Sequence, residues 1–463
     1  MNYVSTRGGV APVDFAQAVM MGLGTDGGLL VPASIPRIDR NTLAAWSRLP
    51  FPDLALEVMT PFVGDAIPRD DLAELIRRSY ASFSHPEVTP VVEVGGTRIL
   101  ELFHGPTAAF KDVALQFLGN LFEYLLERDG GRINIVGATS GDTGSAAIAG
   151  VRGKARIEIF ILYPQGRVSP IQERQMTTVL DANVHNVAVR GTFDDAQGIV
   201  KALFNDLDFK DRYHLGAVNS INWARILAQT VYFFYAWGRL SRGDPQQRVS
   251  FAVPTGNFGD VFAGYVAKRM GLPVDRLIIA TNRNDILTRF VHSGVYAAGE
   301  VYPTLSPAMD IQIASNFERY LYFLHGEDPA AVRNLLAQMA EGGRMAIRED
   351  LRAVVAADFD AAAVDDATTL NQIRETFAAT GYILDPHTAV GVKAAAGRSG
   401  CVCLATAHPA KFAEAVTAAI GHEAPPPPSL QGLMDKETRC ALLDASVEAI
   451  KDHICATLAA TGA

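Results

Sequence analysis

Ile133-Asn134-Ile135-Val136-Gly137-Ala138-Thr139-Ser140-Gly141-Asp142-Thr143-Gly144, running on into Ser145-Ala146-Ala147-Ile148, decides the fold. The segment opens as a short β-branched run of the kind buried on both faces in a parallel sheet. Glycines and small hydroxyl residues turn the chain, and an alanine-rich helix start follows. A second segment has the same build: Ser250-Phe251-Ala252-Val253-Pro254-Thr255-Gly256-Asn257-Phe258-Gly259-Asp260, entering Val261-Phe262-Ala263. In such turns free N–H groups and the positive helix end make a place for an anion, and glycine admits a ligand close to the backbone. One turn alone is weak evidence, because tight strand-to-helix loops need glycine anyway; two together carry more weight. The spacing Gly137-x-x-x-Gly141-x-x-Gly144 departs from the G-x-G-x-x-G of dinucleotide folds, yet Glu158 follows in the next strand, so a nucleotide-binding alternative stays open. Neither turn ends in the Gly-Lys-Ser/Thr of a P-loop, which sets kinase and NTPase chemistry aside.

Further short runs rich in Val, Ile and Ala lie at 157–162, 184–189, 277–280 and 402–405. Amphipathic stretches at 145–152, 194–207, 223–240 and 260–270 separate them. The alternation predicts an α/β fold with parallel sheets and right-handed crossovers. Residues 1–90 read as mostly helical, with a turn marked by Gly27-Gly28 and Pro32. Four prolines at 425–428 read as an extended spacer, with a recognition ligand as the lesser alternative. Beyond them the amphipathic stretch 446–458 is expected to pack on the body. No internal repeat is visible.

The chain has 463 residues, 49% hydrophobic and 20% charged, which suits a large packed core rather than disorder. A formal net charge of −9 argues against a protein that wraps nucleic acid, but leaves room for local binding of a small anion. The N-terminal residues do not read as a signal peptide, and no apolar run reaches the roughly 20 residues a membrane span needs. Of the four cysteines, Cys401 and Cys403 alternate within a strand-like run and read as buried thiols, not metal ligands. Together these features predict a soluble, cytoplasmic chain.

One lysine stands in an unusual setting: Glu101-Leu102-Phe103-His104-Gly105-Pro106-Thr107-Ala108-Ala109-Phe110-Lys111-Asp112-Val113-Ala114-Leu115-Gln116. Lys111 sits at an expected helix start, where the macrodipole disfavours a cation, and apolar residues follow at core spacing. Such a lysine loses proton affinity and becomes a usable amine nucleophile, although an exposed first-turn lysine is the plainer reading of this segment alone. An amine nucleophile together with a phosphate-type turn is what pyridoxal phosphate requires.

With Pro254–Asp260 and residues 104–116 and 138–147, the chain resembles the threonine synthase family, within the fold type II (tryptophan synthase β-like) pyridoxal-phosphate enzymes. The likeness runs along nearly the whole chain. It takes in Ser5-Thr6-Arg7-Gly8, residues 24–32, Asn219-Ser220-Ile221-Asn222-Trp223-Ala224-Arg225, Ser315-Asn316-Phe317-Glu318-Arg319 and Asp385-Pro386-His387-Thr388-Ala389. The N-terminal motif and Thr406-Ala407-His408-Pro409-Ala410-Lys411-Phe412 point to the long bacterial and fungal branch.

The resemblance implies two parallel-type sheets flanked by helices, with a mostly helical region over 1–90. It implies a large cofactor-binding domain over 91–133 and 215–463, and a small mobile domain over 134–214. Lys111 would hold pyridoxal 5'-phosphate as a Schiff base and later shuttle protons. Thr255, Gly256, Asn257, Phe258 and Gly259 would bind the cofactor phosphate, and Thr406 the pyridine nitrogen. Asp142 would stand near the phenolic oxygen, where shorter relatives carry Asn. Thr139, Ser140, Gly141 and Thr143 would receive the substrate carboxylate. Asn219, Ser220 and Arg225 are candidates for a substrate phosphate. The reaction implied is O-phospho-L-homoserine and water to L-threonine and phosphate, the last step of threonine biosynthesis. No nucleic acid or membrane partner is expected, and a monomer is favoured over a homodimer.

Two alternatives are a dehydratase or phospho-lyase of the same fold type and a catalytically silent relative. Arg225 and the N-terminal motif tilt against the first; retention of Lys111 tilts against the second. His104 reads equally as a proton relay or a turn residue, His408 as structural, and Lys411 as either a phosphate ligand or an ordinary helix residue. Asn282-Arg283-Asn284-Asp285 follows a strand and is a candidate to line the site. Asp310 and Glu318 read as surface or packing charges.

Overall fold

The computed structural model describes residues 1–398 and 400–461. The chain forms two compact units from interleaved segments. The first takes residues 1–77, 83–104 and 220–425, and the second takes 78–82, 105–219 and 426–463.

The first unit holds a six-stranded sheet in the order Phe359–Ala363, Val274–Thr281, Val249–Pro254, Cys401–Ala405, Thr97–Glu101, Val91–Val94. Every pairing is parallel except the last, an antiparallel hairpin at the edge. The central strands are buried on both faces, which explains their unbroken apolar reading: Ala252, Ile278, Ala280 and Cys403 pack with Ile373, Ala389 and Val390 from covering helices. Burial pushes the Cys401 thiol up to about 12 and raises that of Cys403 well above its ordinary value, as suits inert core thiols. Near the N-terminus, Tyr3–Ser5 pairs antiparallel with Leu30–Pro32, and the helices Phe15–Met21, Arg40–Trp46 and Phe51–Val63 fill out this region.

The second unit carries a five-stranded, wholly parallel sheet in the order Ala441–Asp444, Val184–Arg190, Ile157–Pro164, Ile133–Ala138, Leu215–Gly216. The tail supplies its first strand. The tail also supplies the helix Val447–Thr461, whose Ile450, Ile454 and Leu458 lie one turn apart and are buried with Ile199 and Leu203. The helices Lys111–Asp129 and Asp142–Val151 cross at very short range. A Cβ on Gly119 would lie 2.0 Å from the Gly150 carbonyl oxygen, and one on Gly150 would lie 2.5 Å from that of Leu115. Only glycine fits at that crossing.

Boundaries shift where caps decide them. The helix expected from residue 145 begins at Asp142, which brings that carboxylate into the first turn. The stretch 194–207 is two helices, Phe193–Asn205 and Leu207–Arg212, because Asp206 turns out of the first and caps the second.

Candidate active site

In the second unit the turn after Ile133–Ala138 is tied from within. The Thr139 hydroxyl accepts from the N–H groups of Gly141 (3.0 Å) and Gly144 (2.9 Å). Gly141 has φ +142°, and a Cβ there would meet Gln172 at 2.4 Å. Ser140 is exposed at this turn, while Thr143 is partly buried in the first turn of the helix. Asp142 is buried, accepts a hydrogen bond from Gln172 Nε2 at 2.8 Å, and places Oδ2 3.8 Å from Lys111 Nζ. Lys111 itself is the first residue of its helix, and only 12% of its side chain reaches solvent. The preceding turn is fixed by Asp112, which accepts from the Thr107 amide at 2.8 Å and hydroxyl at 2.6 Å. A mobile surface lysine is thereby excluded. The structure holds a sheltered amine at a defined position beside a carboxylate. Asn219 also belongs to this unit.

In the first unit the turn after Val249–Pro254 is held from outside. The Thr255 hydroxyl donates to Val253 O, and the Thr255 amide donates to Ala280 O. Gly256 faces the Ala308 carbonyl so closely that a Cβ would lie 2.4 Å from its oxygen. Asn257 O accepts from both the amide and the Nδ2 of Asn316. Phe258 takes the left-handed conformation, φ 63°, and its buried ring packs edge-on to Phe317 and Phe359. With the Asn257 and Phe258 carbonyls accepting from Asn316 and Phe262, the N–H groups of Gly256, Asn257, Phe258 and Gly259 have no acceptor among the described residues. They end in the first turn of the helix Gly259–Met270. A row of unpaired N–H groups at the start of a twelve-residue helix is what a phosphate satisfies.

Thr406 follows the strand Cys401–Ala405 and is buried, so its hydroxyl is a sheltered neutral partner at the carboxyl end of the sheet. In the same unit Glu101 accepts from Tyr382 at 2.7 Å and pairs with His104 Nε2 at 2.8 Å. Burial alone would raise the Glu101 carboxyl, yet these two partners hold it below the usual range. His408 is depressed to about 4 chiefly by burial, and its Nδ1 accepts from the Ala410 amide, so it serves as a neutral cap. Lys411 is 2% exposed and is not an ordinary first-turn residue.

Arg225 is wholly buried; burial lowers it to about 10, and its Nε and Nη1 have no hydrogen-bond partner. The hydroxyls of Ser220 and Ser315 lie 2.8 Å apart, and Asn316 Nδ2 donates to Ser220 O.

Sequence reading missed the residues that hold these turns. Asn316 binds the turn itself. Glu318 accepts from Thr6 and from Arg7 at 2.8 Å, so it is buried and ion-paired rather than a surface charge. Arg319 reaches Leu30 O and Ile221 O. Their one sequence signal was the Ser315–Arg319 motif, which carried no stated role. Asn282 and Asn284, which sequence reading took as possible site residues, donate to Asp310 Oδ1 at 2.7 and 3.0 Å and secure the 302–310 segment.

A sheltered lysine, a phosphate-type turn and parallel sheets of this order define a pyridoxal-phosphate-dependent enzyme of fold type II, and residues 89–402 match the family model described as "Pyridoxal-phosphate dependent enzyme". Residues 2–80 match "Threonine synthase N terminus", and 388–454 match "Threonine synthase, C-terminal". Threonine synthase of Pseudomonas aeruginosa is 48% identical over 450 residues, covering 96% of each chain. That of Saccharomyces cerevisiae is 49% identical over 456 residues, covering 90% of this chain and 89% of its own. The crystal structure of PLP-bound threonine synthase from Brucella melitensis superposes with a TM-score of 0.96 at 47% identity, covering 99% of both chains. The chain belongs to the threonine synthase family. Among the described residues no helix is long and apolar enough to cross a membrane, and no cluster of His, Cys, Asp and Glu could hold a metal ion.

Proposed function

We propose that this chain converts O-phospho-L-homoserine and water to L-threonine and phosphate, acting as a cytoplasmic monomer. The observation that carries the reading is the Lys111 amine, closed from solvent and 3.8 Å from the Asp142 carboxylate. The residues present fit pyridoxal phosphate: an amine for its aldehyde, four unpaired N–H groups for its phosphate, and a buried neutral hydroxyl for its ring nitrogen.

When bound, the cofactor supplies an electron sink that makes protons at Cα and Cβ of an attached amino acid removable. Lys111 would hold the cofactor through its amine and, once substrate takes its place, that amine would serve as the base for the Cα proton. The Asp142 carboxyl beside that amine fixes its position. Thr406, being neutral, hydrogen-bonds the ring without holding it protonated. Gly256, Asn257, Phe258 and Gly259 bind the cofactor phosphate through backbone N–H groups, and Thr255 sets the start of that turn. Ser140, Gly141 and Thr143 receive the substrate carboxylate at the start of the Asp142–Val151 helix, and Thr139 shapes that turn. Asn219, Ser220 and Arg225 receive the substrate phosphate. The unpartnered nitrogens of Arg225 support that role, since an anion would satisfy them. Removal of a proton from Cβ would expel phosphate from Cγ, and a proton returned to Cγ with water added at Cβ would complete L-threonine.

The test is to incubate the cofactor-loaded protein with O-phospho-L-homoserine and, in parallel, L-serine, and to assay phosphate, threonine and pyruvate. Threonine and phosphate in equal amounts from the first substrate are expected. Pyruvate from serine without threonine would replace this reading by a dehydratase. Elution at about the chain mass of 49.7 kDa in size-exclusion chromatography is expected for the monomer.

A further inference from the structure

The phosphate turn is braced by a buried pair that neither the reaction nor the family match assigns to it. Asp385 is 1% exposed and His387 is 3% exposed. Asp385 caps the helix Pro386–Ala394, accepting from the His387 amide at 2.9 Å and from the Thr388 amide at 3.2 Å. The Oδ1 that accepts from the His387 amide also lies 2.9 Å from His387 Nδ1. A carboxylate oxygen can only accept, so Nδ1 carries the proton and Nε2 is left with its lone pair. That lone pair accepts from the backbone N–H of Ala308 at 3.2 Å. Ala308 is the residue whose carbonyl fills the place a Cβ would take on Gly256.

The bracing runs in one direction: Asp385 sets the tautomer of His387, His387 holds the Ala308 peptide, and Ala308 meets Gly256. The residues flanking Ala308 are secured separately. Asn282 Nδ2 donates to Ser306 O at 3.2 Å, and Asp310 accepts from Thr304, Asn282 and Asn284. An amide network therefore fastens the segment on both sides of Ala308, at Ser306 and at Asp310. The Ala308 amide itself is held by the imidazole nitrogen of His387.

We propose that Asp385 and His387 are positioning residues that hold Ala308 against Gly256 and thereby fix residues 255–259 in the form that takes a phosphate. The proposal rests on the reading that this turn binds the phosphate of pyridoxal phosphate. His387 touches neither cofactor nor substrate in this role. It lowers the ordering cost of binding by keeping the N–H groups in place beforehand.

The experiment compares His387→Leu, which keeps bulk and loses the acceptor, with His387→Gln, whose amide oxygen can still accept from Ala308. Full-length apoprotein is titrated with pyridoxal phosphate, following the visible absorption band and the rise in melting temperature on saturation. The Gln variant should bind within about threefold of wild type. The Leu variant should bind about tenfold or more weakly, as the loss of one buried hydrogen bond implies. Its melting temperature without cofactor should stay near that of the Gln variant, a split that a merely structural role would not produce. Equal affinity in Leu, Gln and wild type would overturn the clamp. A wild type that gives no visible band would instead overturn the cofactor reading itself. Nitrogen-15 spectra of wild type labelled at histidine provide a second readout that needs no variant: the Nδ1–H tautomer is required at His387, and the Nε2–H tautomer would contradict the clamp.

Discussion

Lys111 Nζ lies 3.8 Å from Asp142 Oδ2, and both side chains are largely closed to solvent. Two helices starting at these residues hold the pair, one beginning at Lys111 and the other at Asp142. Asp142→Asn keeps the shape and can keep the Gln172 contact, but removes the carboxyl group beside the amine. The expected result is a turnover reduced by about tenfold with the visible cofactor band retained. Steady-state kinetics and absorption spectra on one preparation check both halves.

The close crossing of those two helices sets the distance. Gly150→Ala puts a Cβ 2.5 Å from the Leu115 carbonyl oxygen, so the helices must part. A loss of about 1–3 kcal/mol in stability is expected, together with lower activity, because the helix that parts carries Lys111. Gly342→Ala is the contrast. That helical glycine has open space around its Cβ position, and the change should be neutral or stabilising by up to about 1 kcal/mol. Urea unfolding of both variants separates crowding from a general alanine effect.

Burial raises the Asp260 carboxyl to about 7, against a lowering contribution from the Tyr232 hydroxyl that bonds it. The folded chain thus keeps a proton that the unfolded chain releases near pH 4. Stability falls as pH rises from about 4 to about 7, and the full cost remains above that. Asp260→Asn should therefore stabilise the apoprotein near pH 8 by something on the order of 2–4 kcal/mol and change little near pH 4.

His408 slopes the other way. Its depressed value of about 4 means that the unfolded chain binds a proton before the folded one does, so stability is lost as pH falls from about 6.5 toward 4. In wild type the two slopes oppose each other over a shared window. Urea unfolding of the Asp260→Asn variant across about pH 4.5 to 8 should unmask a stability that rises with pH. A flat profile would show that His408 is not buried neutral.

The strands and both anion turns were legible because a parallel strand buried on two faces reads as an unbroken apolar run, and the turn after it needs glycine. Lys111 stood out because an apolar helix start is a poor place for an ordinary cation. The edge strand Val91–Val94 and its partner Thr97–Glu101 were not legible, since polar residues interrupt both short runs. Phe359–Ala363 was hidden by alanine, which has little strand preference. The bracing residues Asn316, His387 and Asp310 act on segments 59, 79 and 28 positions away. Contacts at such separations leave no local periodicity. The same holds for the interleaving of segments 78–82, 105–219 and 426–463 in one unit.

The most direct test of the central claim is product analysis with and without the Lys111 amine. Cofactor-loaded wild type given O-phospho-L-homoserine should release phosphate and form L-threonine in equal amounts, while Lys111→Ala should form neither above background. Phosphate release without threonine from the wild type, or threonine formation undiminished in Lys111→Ala, would contradict the account.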